Sequence, residues 1–302
     1  MVLRPWGSLT AYLVSKIYSS VWLSKLLPMV EIWCNRQWLP ADQYPGSAQD
    51  RGACFGLGLF ETLLAIDGVP IFADRHLARL RQSCEKLGWT FGFSDFSAVV
   101  AELVARNDLA TGRVRLRLIV TGGGGPLDDL AAGVDRLVWL SAFRAADLLD
   151  SVTLGLSPWP RNERSPLAGL KTTCYAENLI ALDHARQRGF QETIVLNTAG
   201  DLCEAATANL FLVKNGVILT PSLDSGCLPG IGREVVCEIA LAHGIPCEQR
   251  RLTLVDLDAA DEIFLTSSTR GPLPVSRVED SELTRGPLTA TLQRLWQAEI
   301  SR

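Results

Sequence analysis

Leu167-Ala168-Gly169-Leu170-Lys171-Thr172-Thr173 sets a single lysine in an otherwise apolar stretch. A strand pattern, Val152 to Leu156, and a polar loop, Pro158 to Ser165, come before it. A helix-period segment from about Tyr175 to Arg188, closed by Gly189, comes after it. An amine desolvated at such a strand–loop–helix junction has a lowered pKa and becomes nucleophilic toward aldehydes. Lysines at helix starts more often snorkel out to water, so this stretch takes its meaning from its surroundings.

Downstream, Asp201-Leu-Cys-Glu-Ala-Ala-Thr-Ala-Asn-Leu-Phe211 holds Glu204 on a strand-to-loop stretch with almost no other charge. A carboxylate there needs a partner. That partner is either an arginine or lysine from elsewhere or a protonated ring nitrogen. Asn209 is suited to holding the loop through its side chain. Gly226-Cys-Leu-Pro-Gly-Ile-Gly-Arg233 then opens a helix that Gly244 closes. Free N–H groups at a helix start, approached closely over glycine, can cradle a phosphate, although the spacing matches neither a P-loop nor G-x-G-x-x-G. Strand signals at Thr193 to Asn197, Asn209 to Val213 and Val217 to Thr220 complete this half, with Asn215-Gly216 turning the last two into a hairpin.

Upstream, the spacing predicts a strand pair over Glu31 to Leu39, a Gly-rich stretch over Arg51 to Gly58, a strand over Leu59 to Ile66 and a hairpin turn at Asp67-Gly68. Leu77, Leu80, Cys84 and Leu87 recur at helical spacing before Gly88. On that helix Arg79 could grip a phosphate at two points, and His76 is read as structural. Val114, Leu116, Leu118 and Val120 alternate as in a half-buried strand, and Leu137 to Ser141 makes another. Phe143 to Ser151 reads as a join. The division expected is an extension over 1–28, an α/β domain over 29–146 and a second domain over 151–302. Strands mixed with helices without strict alternation make the fold class α/β of the mixed α+β kind.

The 302 residues are 47% hydrophobic and 21% charged with a net charge of −4, which excludes a disordered chain and offers no basic stripe for nucleic acid. Cys34, Cys54, Cys84, Cys174, Cys203, Cys227, Cys237 and Cys247 are scattered, with no C-x-x-C pair. They read as reduced, mostly buried thiols of a cytoplasmic protein, with neither a metal site nor a disulfide framework. Residues 1–28 are apolar and carry Trp6, Tyr12, Tyr18 and Trp22, but Lys16 and Lys25 interrupt them. No uncharged run reaches the roughly 18 residues of a spanning helix. A surface amphipathic helix is one reading. The simpler one makes Met29 the natural start.

Taken in order, Arg51-Gly…Phe60-Glu61-Thr62, His76-Leu-Ala-Arg79-Leu, Lys171, Glu204 to Asn209 and Leu228-Pro-Gly-Ile-Gly-Arg233 resemble the class IV aminotransferases, the fold-type IV pyridoxal-phosphate enzymes, over about residues 29 to 280. The resemblance implies a fold like that of D-amino acid aminotransferase, two α/β domains with pyridoxal 5′-phosphate between them, usually in a homodimer. It makes Lys171 the amine that carries the cofactor as a Schiff base and moves the proton, and pairs Glu204 with the pyridine nitrogen. Arg79, the N–H groups of Ile231 and Gly232, and the Ser268 hydroxyl would bind the phosphate, and Leu228 would pack on the ring. Arg115, Arg117 and Thr207 are the implied contacts to a small amine substrate.

Three activities compete within the family: branched-chain aminotransferase, D-amino-acid aminotransferase and 4-amino-4-deoxychorismate lyase. Val120-Thr-Gly-Gly-Gly-Gly-Pro-Leu127 and Asn162-Glu-Arg-Ser-Pro-Leu-Ala-Gly-Leu-Lys-Thr-Thr-Cys-Tyr-Ala-Glu-Asn178 are similar to the lyases, and the Arg-x-His carboxylate trap of the D-specific enzymes does not follow the Arg115 to Val120 strand. Two positions depart from the family. Leu57 stands where Asp is usual, and Gly232 stands where Thr is usual, which removes a hydroxyl from the phosphate site. A cofactor-free binding protein on the same fold is the remaining alternative, and intact Lys171 and Glu204 oppose it.

Overall fold

The computed structural model describes residues 30–43, 46–284 and 286–301. The extension read over 1–28, and Met29 with it, lies outside the described residues. The first half contains β1 (Glu31–Cys34), β2 (Gln37–Pro40), α1 (Arg51–Phe55), β3 (Gly58–Ile66), β4 (Val69–Pro70), α2 (Ala73–Lys86), α3 (Phe96–Arg106), β5 (Arg113–Thr121) and β6 (Val138–Arg144). The second contains β7 (Val152–Leu156), α4 (Ala176–Gln187), β8 (Glu192–Leu196), β9 (Leu202–Ala205), β10 (Asn209–Lys214), β11 (Val217–Pro221), α5 (Ile231–Ala242), β12 (Cys247–Arg250), α6 (Leu254–Asp258), β13 (Glu262–Ser267), β14 (Gly271–Val278), β15 (Ser281–Glu282) and α7 (Pro287–Ile300).

The first half folds as an antiparallel sheet in the order β2-β1-β6-β5-β3-β4. Strand β3 runs against β5 in unbroken register from Gly58 opposite Thr121 to Ile66 opposite Arg113. The two-residue turn after β3 works because Asp67 and Gly68 both take positive φ, 49° and 80°, which matches the twist of the strands they join. Alternation along β3 splits its side chains between two environments. Leu59, Leu63 and Ala65 face a core shared with Leu80 and Cys84 of α2 and Val100, Leu103 and Val104 of α3.

The second half is a mixed nine-stranded sheet in the order β12-β11-β10-β13-β14-β7-β8-β9, with β15 paired to β14. Period-2 alternation again separates two cores. Leu210 and Leu212 of β10 join Val152, Leu154 and Ile194 on one face. Phe211 and Val213 face α5 and α7 on the other, where Phe211 stacks on Phe264 with ring centroids 4.7 Å apart. Leu64 of the first sheet belongs to that second core, so the two sheets are packed together there.

Four helix or turn readings correspond to positive φ at the expected glycines: Gly88, Gly189, Gly216 and Gly244. Arg51 to Gly58, read as a Gly-rich stretch, contains the short helix α1, capped by Asp50 and ended by Gly56 at φ 67°. All eight cysteines are free, but only Cys34, Cys84, Cys203 and Cys227 are buried, so "mostly buried" holds for half of them.

Candidate active site

Lys171 is placed by β3. The Phe60 N–H donates to the Lys171 carbonyl at 2.8 Å, the Thr173 N–H donates to the Gly58 carbonyl at 2.8 Å, and Leu59 bridges Thr172. The lysine segment therefore runs as a short added rung beside the start of β3. A Cβ at Gly58 would lie 2.6 Å from Thr173 Oγ1, so this approach requires glycine. The lysine amine lies 4.4 Å from the Phe60 ring centroid and 5.8 Å from that of Tyr175. Burial lowers the pKa of the Lys171 amine to about 8, with Arg79 and Arg117 acting in the same direction and Glu61 and Glu204 opposing. About a tenth of it is thus a neutral nucleophile and base at pH 7, far more than for an ordinary lysine.

Glu204 lies on β9, buried, in the same cavity of about 430 Å³ that Lys171 lines. Its Oε2 accepts from the Leu228 N–H at 3.0 Å and from Asn209 Nδ2 at 3.3 Å. Among the described residues its Oε1 has only Arg161 Nη2, at 3.5 Å. Burial raises the Glu204 pKa, against the pull of Arg161 and the Leu228 N–H. The partner from elsewhere that a buried carboxylate requires is therefore present but distant, and Oε1 can take a second cationic N–H donor.

Arg79 lines the cavity, but its two-point grip is on Glu61, not on the cavity: Nε meets Oε1 at 2.8 Å and Nη2 meets Oε2 at 2.6 Å. Nη1 donates to the Pro229 carbonyl at 2.8 Å. Of the five guanidinium N–H groups, this leaves one on each terminal nitrogen. His76, one helical turn before Arg79, places Nδ1 2.7 Å from Glu61 Oε2 and is fully buried. Burial lowers its pKa, so the ring is neutral and donates through Nδ1; the structural reading of His76 agrees with this. Burial alone would raise the Glu61 pKa, but Arg79 and His76 overcome it and hold the carboxyl at about 2.

Glu61→Gln leaves the Arg79 charge without its partner and is expected to destabilise the fold by about 3–5 kcal/mol at neutral pH. Because the folded pKa is depressed, this contribution is complete above the ordinary carboxyl value of about 4.3. It fades as pH falls toward about 2. Urea unfolding of both proteins across that range should show their stabilities converging; a constant difference would contradict the assignment.

Helix α5 begins at Gly230 with no side-chain cap, and among the described residues the N–H groups of Ile231 and Gly232 have no acceptor. A Cβ at Gly230 would sit 1.9 Å from Asn209 Oδ1, and one at Gly232 would sit 2.8 Å from Thr266 Oγ1. Thr266 Oγ1 is buried with no partner. The hydroxyl missing at Gly232 is thus matched by one from β13 that sequence reading passed over in favour of Ser268, which lines the same cavity. A free helix start, an orphaned hydroxyl and the spare N–H groups of Arg79 suit a phosphate.

Arg115 and Arg117 lie two residues apart on β5 and line the cavity, over the rings of Phe143 (5.3 Å) and Phe60 (4.5 Å) respectively. Neither has a carboxylate partner among the described residues. Leu228 and Ile231 also line the cavity. Thr207 does too, but its hydroxyl donates to Glu192, which leaves it an acceptor only. Sequence reading gave no role to Tyr175, whose hydroxyl donates to the Ala206 carbonyl at 2.9 Å and whose ring meets Phe60 edge-on. It gave none to Arg161 or Glu61 either. Glu61 was the findable one: a carboxylate in phase with Leu59 and Leu63 must meet a donor on the helix that covers them.

Residues 58–278 match the family model described as amino-transferase class IV. The D-alanine aminotransferase of Listeria monocytogenes is 28% identical over 84% of this chain and 90% of its own length. The aminodeoxychorismate lyase of Bacillus subtilis is 27% identical over 89% and 94%. The crystal structure of the branched-chain aminotransferase from Thermoproteus uzoniensis with norvaline superposes with a TM-score of 0.83 at 26% identity, covering 90% of this chain and 95% of that one.

Proposed function

The chain belongs to the class IV aminotransferase family and is a pyridoxal-phosphate-dependent enzyme, and from that premise we propose that it acts as a 4-amino-4-deoxychorismate lyase, releasing p-aminobenzoate and pyruvate. The observation that carries this reading is the pair Arg115 and Arg117, two cavity-lining cations without carboxylate partners among the described residues. Each product bears one carboxylate, so the substrate bears two. A branched-chain amino acid offers one carboxylate and an apolar side chain, which would leave one of these arginines unmatched.

When bound, the cofactor supplies an electron-accepting ring conjugated to the carbon that carries the substrate nitrogen. Lys171 would hold it covalently, and its amine is the group that would take the proton from that carbon. Its lowered pKa suits the task. Glu204 would keep the ring nitrogen protonated. Arg79, the Ile231 and Gly232 N–H groups, Thr266 and Ser268 would hold the phosphate, and Leu228 would pack on the ring. Arg115 and Arg117 fix the two carboxylates, and Thr207 offers an acceptor at the substrate end. Breaking the ring carbon–oxygen bond would expel enolpyruvate, which takes up the proton held by Lys171 and becomes pyruvate, and the ring left behind would be aromatic.

The wider organisation belongs to the same proposal: two domains, 29–146 and 151–302, working as a cytoplasmic homodimer. No helix among the described residues is long and apolar enough to cross a membrane.

Supplied with aminodeoxychorismate and pyridoxal phosphate, the protein should release p-aminobenzoate and pyruvate in equal amounts. Amino transfer to 2-oxoglutarate without p-aminobenzoate would replace the lyase by a transaminase.

A further inference from the structure

Outside the cavity, Cys237 on α5 and Cys247 at the start of β12 face each other with sulfurs 3.6 Å apart, the Cys247 S–H donating to Cys237 Sγ. Both are half-buried, and β12 is the last strand of its sheet, so the pair is reachable from solvent and one side of it can shift. Arg233, one turn before Cys237 on α5, donates to Gln249 Oε1 at 3.0 Å, and Gln249 Nε2 reaches Cys237 Sγ at 3.9 Å. Two donors thus converge on one sulfur. The other pair of cysteines in this half, Cys203 and Cys227, is each 1% exposed.

We propose that Cys237 and Cys247 form a redox-active dithiol, a modification site that a small disulfide oxidises to an intramolecular disulfide joining α5 to β12. Forming the bond brings the sulfurs from 3.6 Å to about 2.05 Å. The hydrogen bond from Cys247, with Arg233 beside it, lowers the pKa of Cys237 and raises that of Cys247, so Cys237 attacks first. Its thiolate attacks one sulfur of the reagent, whose sulfur–sulfur bond breaks and releases one thiol. Cys247 then gives its proton to water and attacks the Cys237 sulfur, expelling the second thiol. Two protein thiols lose two electrons and two protons, and one small disulfide becomes two thiols.

The test is thiol mapping of the full-length holoenzyme under native conditions with oxidised glutathione, followed by acid quench, alkylation of the remaining thiols and peptide mass analysis. The expected product is a peptide pair linked through Cys237 and Cys247, lighter by two hydrogens, with both thiols restored by dithiothreitol. Cys54 and Cys174, which are exposed, serve as the internal control by accepting glutathione singly. In Cys247→Ser the glutathione should remain on Cys237. The proposal is overturned if Cys54 and Cys174 carry glutathione while Cys237 and Cys247 are alkylated normally. It is equally overturned if wild-type Cys237 holds a lasting glutathione adduct with no link to Cys247. Should Cys247→Ser not fold, the wild-type map alone decides.

Discussion

Lys171→Ala is expected to lower kcat/KM by about 10⁴-fold, the upper end for a positioned acid–base group. On the proposed role two functions would be lost at once, the covalent hold on the cofactor and the proton transfer. The chain has five lysines, at positions 16, 25, 86, 171 and 214, and among the described residues Lys171 is the one that lines the cavity. Lys171→Arg should fail as well, because a guanidinium stays protonated across the working range. The fold should not suffer. The Lys171 pKa is lowered to about 8, so the charged amine is penalised in the folded state below that pH, and removing it relieves a cost. Steady-state kinetics beside a thermal melt separate the two effects. Activity within tenfold of wild type in a folded Lys171→Ala protein would remove this lysine from the chemistry.

Glu204→Gln should lower kcat/KM between about 30-fold and a few thousand-fold, the equivalent of the 2–5 kcal/mol lost when one partner of a buried charge pair is removed. On the proposed role, a neutral amide in place of the carboxylate would no longer favour a proton on the ring nitrogen, and the ring would accept electrons less well. Stability should move the other way. The Glu204 pKa is raised in the folded protein, chiefly by burial. For a carboxyl shifted upward, the favourable contribution exists below its unfolded pKa and is lost as pH rises through the folded value. At neutral pH the buried charge is therefore a cost in the cofactor-free protein. Glu204→Gln should melt at or above the wild-type temperature without cofactor while losing activity with it. A variant that loses stability and activity together would make Glu204 a structural partner of Arg161 instead.

Much of this was legible because backbone punctuation and period are local. Asp67-Gly68 and Asn215-Gly216 announce their hairpins through the positive φ that such turns demand. Alternation along β10 assigns Leu210 and Phe211 to opposite cores. Lys171, Glu204 and the α5 start could be singled out as candidates because each is a polar or backbone feature in apolar sequence, while the roles given to them came from the order of motifs along the chain. The sequence reading passed over α3 and α7, although Phe96, Val100, Leu103 and Val104, and Thr289, Leu292, Trp296 and Ile300, show helical spacing once their buried faces are known. What no local pattern could give was pairing at long range. The Arg79 fork turns to Glu61, the Thr266 hydroxyl lies under Gly232, and the Lys171 segment is stitched to β3, because of contacts between residues 18 to more than 100 positions apart. The same limit hid the meeting of Cys237 with Cys247, which the absence of a C-x-x-C spacing made invisible.

The most direct test is to reduce the purified holoenzyme with borohydride, digest it and locate the phosphopyridoxyl mass increment. With five lysines in the chain, the assignment is unambiguous. The increment should fall on Lys171 alone, at close to one per chain. An increment on Lys86 or Lys214, or none from a protein that turns over substrate, would contradict the placement of the chemistry in this cavity.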